Sequence, residues 1–236
     1  MNKILLAIML GLAVLISCAT ESRIHTEDYE MTPYREDAVY LFSELKESHK
    51  DFFRNAGKKT AYDTLDSLLR RDPESAAEEY FCLQSIAAIA RDSHTQVVMD
   101  SEVLDSINIL PVAFRDFDGR LCIIAADEEH AGLLGMEVQM INGIPIDGIC
   151  EKAEGLIPHD NDVFFRSSLY SNYMRMLEFY RFIGIQDASY GIKLTSADGR
   201  TETLQAIPFS ESSLHPLLFL QKVPDTLNPY SLYSAM

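Results

Sequence analysis

The chain has 236 residues, with 20 Lys and Arg against 36 Asp and Glu, giving a formal charge of −16. Phosphate neutralisation by Lys and Arg dominates nucleic-acid binding, so this balance argues against a nucleic-acid partner. It equally disfavours electrostatic adhesion to an anionic membrane surface. The composition is that of an ordinary globular protein, and the length allows one large domain or two small ones.

Residues 1–17 read as an address. Lys3 gives a basic start, and thirteen apolar or Gly residues follow over 4–16. A membrane-spanning helix needs roughly 20 apolar residues, so the run is too short to span and fits the apolar region of a signal peptide. Leu15-Ile16-Ser17-Cys18 resembles a bacterial lipobox. The resemblance implies cleavage before Cys18, a diacylglyceryl group on its sulfur, and attachment to a membrane without a basic patch. Ordinary cleavage near Ala13 or Ala19 is the alternative. Either way the expected location is the bacterial cell envelope, lipid-anchored in the first case, periplasmic or surface-exposed. Cys82, Cys122 and Cys150 lie far apart in apolar surroundings, without metal-ligand spacing, and read as buried apolar residues. No metal and no cofactor is implied.

Residues 18–34 are a polar tether, and 35–94 read as a helical subdomain. Ala38, Leu41, Phe42, Leu45 and Phe52 recur at helical spacing over 35–53. Gly57 interrupts, and Leu65, Leu68 and Leu69 mark a second helix. Asp72-Pro73 predicts the cap and first turn of a third, running to about Ala90.

Residues 95–207 change character. Strands are predicted over 95–99, 107–114 and 120–126, the last two joined by Asp118-Gly119. Another strand over 136–141 closes on Asn142-Gly143, and a short helix follows from Pro145. The aromatic-rich stretch 160–183 has helical spacing and reads as one long helix packed in the core. A final hairpin joins 190–195 to 201–207 through Ala197-Asp198-Gly199. The tail, 208–236, shows no period. Helices first and a mixed strand-and-helix unit afterwards predict an α+β fold.

Two short segments carry candidate chemistry. In Asp92-Ser93-His94-Thr95 a histidine sits between a helix end and a strand start, where a base can reach a substrate. The same residues would equally serve to satisfy a turn and cap the helix. In Gly132-Leu133-Leu134-Gly135 two glycines leave backbone N–H groups uncovered beside a strand. That arrangement suits a peptide added to a sheet edge with its carboxylate in a backbone nest, or a plain loop in which glycine serves only conformation.

Taken in order, the helical segment, Asp92-Ser93-His94-Thr95, the strand Leu110-Pro111-Val112-Ala113-Phe114 and Gly132 to Ile146 resemble the C-terminal-processing and tricorn-core serine peptidase family over about residues 35–207. The resemblance implies a PDZ-like domain over 95–207, with His94 as general base, Ser93 as its orienting partner and Gly132–Gly135 as peptide-binding residues. It implies a polypeptide substrate or a peptide C-terminus as partner. The family's nucleophilic serine and oxyanion hole belong to a core that follows the PDZ-like region. The expectation is therefore an N-terminal and PDZ-like portion that is inactive alone. A non-catalytic module for peptide C-termini and a truncated product without selected function are the alternatives.

Overall fold

A computed structural model describes residues 26–185 and 191–212. The expected signal segment, Cys18 and most of 208–236 lie outside these residues. Helix α1, Pro33–Ser48, starts where Thr32 Oγ1 accepts the Arg35 amide at 3.4 Å and Pro33 occupies the first turn. It stops at Ser48, earlier than its apolar period predicts, because His49 is extended (φ −82°, ψ 118°). Phe52 still packs edge-on against Phe42, with ring centroids 5.3 Å apart. Helix α2, Lys58–Leu69, follows Gly57, whose φ of +78° suits glycine.

Helix α3 spans Ala76–Ala88. Its cap is Ser75, whose Oγ accepts the Glu78 amide at 3.2 Å, and not the predicted Asp72, which lies outside the helix with Pro73. The helix is apolar nearly all round and therefore has two jobs. Cys82 and Ile86 pack with α1 and α2, while Ala77, Tyr80 and Phe81 enter the core beneath the sheet. The α+β reading is correct, and α3 is the piece shared by both parts.

The predicted strand over 95–99 does not form. Among the described residues no strand pairs with it, and the Val97 amide donates instead to the Gln84 side chain at 2.7 Å. Short helix α4, Ser101–Asp105, follows, capped by Asp100.

The main sheet is antiparallel in the order β2-β3-β4-β6-β7: Val112–Phe117, Arg120–Ala126, Glu137–Ile141, Gly191–Ser196 and Thr201–Gln205. Strand β5, Ile144–Pro145, pairs with β4 alone, and β1 (Asn108–Ile109) pairs with β8 (Ile207–Pro208). Asp118 and Gly119 both have positive φ (55° and 81°), the two-residue turn whose twist matches the strands it joins. Asn142 and Gly143 repeat that pattern between β4 and β5 (49° and 76°). Helix α5, Ile146–Ala153, buries Ile149 and Ala153 against the sheet core.

The predicted single helix over 160–183 is broken into α6 (Asp162–Ser168), a π-helical turn (Leu169–Tyr173) and α7 (Leu177–Phe182). The cause is local. Met176 is extended and bridges to Ile109, and the Arg175 carbonyl accepts the Leu110 amide at 2.8 Å. Backbone groups committed to a neighbouring strand are unavailable to a helix ladder. The aromatic stripe is core as expected, with Tyr170, Phe179 and Tyr180 fully buried, although Phe164 is exposed. Among the described residues no helix is long and apolar enough to cross a membrane.

Candidate functional site

His94 stands in an exposed turn after α3. The turn is organised by Asp92, which accepts the Thr95 hydroxyl at 2.7 Å and the His94 amide at 3.1 Å. These two bonds, with His49 Nε2 at 3.5 Å, hold the Asp92 carboxyl below the usual carboxylate range, the Thr95 bond foremost. Asp92 thus engages the ring of His49 and only the backbone of His94. No hydrogen bond joins Ser93 to His94, and the His94 ring has no hydrogen-bond partner among the described residues. The structure brings the two together in one turn without forming a base–orienter pair.

The glycine segment has a different geometry from an open nest. Ala131–Leu133 form one 3-10 turn, and Gly135 has φ +81°. The amide of Leu133 donates to His130, that of Leu134 to Ala131, that of Gly135 to Ile123 and that of Met136 to Leu133. Leu133 itself is buried. The strand that follows, β4, has β3 on one side and β6 on the other. It is internal and offers no edge for an added strand. The outer edges lie elsewhere.

The main sheet has two outer strands, β2 and β7, and the one beside a groove is β2, whose one sheet neighbour is β3. Ile123 donates to Met136 at 3.0 Å and accepts from Gly135 at 2.9 Å, so its backbone faces away from β2. In an antiparallel pair, opposite residues either bond each other or both face outward. Phe114 lies opposite Ile123 and Asp116 opposite Leu121, one alternation further along. The amides and carbonyls of Phe114 and Asp116 therefore point out of the sheet, beyond β2; Phe114 is covered there, at 1% exposure, and Asp116 is half-buried.

Beside this edge runs a groove of about 770 Å³. Ala113, Phe114 and Arg115 of β2 line it, as do Asn172 and Tyr173 of the π-turn and Met176 after it. Gln96 and Met99 close it from the irregular segment after His94. His94 does not line it. Arg175 does, and it is only 7% exposed, with Nε donating to the Val112 carbonyl at 3.2 Å. Burial pushes its guanidinium down to about 10, which leaves it charged at neutral pH. An apolar trough with a few fixed polar groups is the form ligand sites take. Neither Arg175 nor Gln84 is singled out by sequence alone. The one available signal is a polar residue inside an otherwise apolar helical run, as in Tyr173-Met174-Arg175-Met176-Leu177.

Among the described residues Cys82, Cys122 and Cys150 are free thiols, Cys82 and Cys150 buried and Cys122 half-buried, each pushed up by burial. Among the described residues no group of three or more His, Cys, Asp or Glu side chains could hold a metal ion.

No protein-family model matches the chain, and no curated protein does. Among solved structures, a photosystem II D1 C-terminal processing protease aligns with 76% of the chain at 12% identity and a TM-score of 0.27. The chain spans 45% of that protein's length.

Proposed function

We propose that this protein binds an extended polypeptide segment, adding it as a strand to the outer edge of β2, with a peptide carboxylate received near Arg175. The observation that carries the reading is the outer edge of β2, with backbone groups at Phe114 and Asp116 turned away from β3 and an apolar groove lined by Ala113, Phe114 and Arg115. Main-chain bonds along such an edge supply affinity, and the pockets beside it supply selectivity among side chains. A guanidinium fits a carboxylate bidentately, and in this half-enclosed site its charge is less screened than in water. Binding rather than hydrolysis is the function this site supports, since His94 lies outside the groove and lacks an orienting partner. Attachment to an envelope membrane through a lipid on Cys18 would place the groove where polypeptides of that compartment reach it. A role beside a serine peptidase of the resembled family is the wider context proposed.

The test is fluorescence polarisation with a labelled decapeptide ending in Leu-Ala-Val, carrying either a free or an amidated C-terminus. Amidation should weaken binding at least tenfold, and Arg175→Gln should abolish that difference. Equal binding of the two peptides would contradict carboxylate recognition, and no binding of either would contradict the peptide reading.

A further inference from the structure

We infer that Gln84 is a positioning residue that holds two walls of the groove, the 96–99 bank and the π-turn bank, at a fixed separation. It lies on α3, beneath the groove, and is 1% exposed among apolar neighbours. A buried primary amide is unfavourable unless its donor and acceptor are both engaged. Here the partners come from two different walls. Oε1 accepts the Val97 amide at 2.7 Å, in the segment that carries Gln96 and Met99. Nε2 donates to the Tyr173 hydroxyl at 2.9 Å, in the π-turn that forms the other wall. Tyr80 completes the floor, with its hydroxyl 3.4 Å from that of Tyr173.

Neither bank is held in a strand or an α-helix. Residues 96–99 belong to no helix or strand, and 169–173 form a π-turn that ends where the backbone leaves the helix for Ile109. Packing alone would be served by leucine at position 84. The amide adds a bond to each bank, and one side chain with short links to both sets their spacing. The same bonds tie the groove to the Asp92–Thr95 turn, two residues before Val97. The consequence for binding rests on the groove being the peptide site, whereas the separation of its banks is measurable without a ligand.

The experiment uses the full chain with Cys18 and Cys122 replaced by Ser and spin labels at Val98→Cys and Asn172→Cys. Electron–electron distance measurement should give one narrow distribution with Gln84 present. Gln84→Leu should broaden it at least twofold. Gln84→Glu should restore it, since a protonated carboxyl can accept from Val97 and donate to Tyr173. Tyr173→Phe removes the same bridge at its far end and serves if Gln84→Leu fails to fold. A distribution as narrow in Tyr173→Phe or folded Gln84→Leu as in the parent would overturn the assignment. The labelled decapeptide should bind Gln84→Leu at least tenfold more weakly than the parent. If the parent binds no peptide, the binding reading falls while the distances still decide the role of Gln84.

Discussion

Arg91 Nη1 lies 2.9 Å from His159 Nε2, across the junction between the helical part and the sheet part of the molecule. A guanidinium can only donate, so Nε2 is the accepting nitrogen. The proton then sits on Nδ1, which donates to the Ile157 carbonyl at 2.6 Å. The ring is buried against Phe165, and Arg91 also pairs with Glu154 at 3.0 Å.

Removing the arginine leaves a buried acceptor without its donor, which costs about 1–3 kcal/mol. Arg91 also holds φ at +51°, a left-handed conformation that suits glycine better. Arg91→Ala should therefore lose about 1–3 kcal/mol in urea unfolding, and Arg91→Gly should lose less. Equal losses would show that the backbone at position 91 is unstrained.

Asp92 gives a pH dependence with a definite sign. Its carboxyl is held low by the Thr95 hydroxyl and the His94 amide, so the folded protein favours the ionised form. That stabilisation is present above the unfolded carboxyl's range, about pH 4, and is lost as pH falls through the lower folded value. The stability gap between the parent and Asp92→Asn should be widest near neutrality and close on acidification. A gap that stays constant down to about pH 3 would contradict this.

Tyr180 tests the break in the aromatic helix. Its hydroxyl donates to the Met174 carbonyl at 2.7 Å within a fully buried site. Tyr180→Phe should cost about 1–3 kcal/mol by leaving that carbonyl unpaired. A neutral substitution would mean that water or a relaxed helix meets the carbonyl instead.

These junctions mark where sequence reading succeeds and where it stops. Asp118-Gly119 and Asn142-Gly143 were legible because both φ values in such turns must be positive, a local demand that local residues advertise. The aromatic stripe was legible as core for the same reason. The break at Met176 was not, because its cause is a strand some 65 residues earlier in the chain, at Ile109–Leu110. The strand expected at 95–99 failed likewise, its Val97 amide being claimed by Gln84 of a helix. The site shows the same division. Glycines at 132 and 135 suggested free amides, yet intrachain carbonyls take those of Leu133, Leu134 and Gly135. The outer position of β2 depends on strand order, which no short motif encodes.

The β2–β3 turn supports that edge. Gly119 has φ +81°, so Gly119→Ala should destabilise by roughly 1–2 kcal/mol. Peptide affinity should fall with it, since the turn sets the register that turns Phe114 and Asp116 outward. Lost stability with unchanged affinity would separate the edge from binding.

The most direct measurement is amide hydrogen exchange of the full chain with and without saturating decapeptide, resolved to single residues. Strand addition at β2 predicts new protection at Phe114 and Asp116, whose amides face away from β3, with little change at Leu133 to Met136. Unchanged exchange at Phe114 and Asp116 under bound peptide, or protection appearing instead at Gly132–Gly135, would contradict the account.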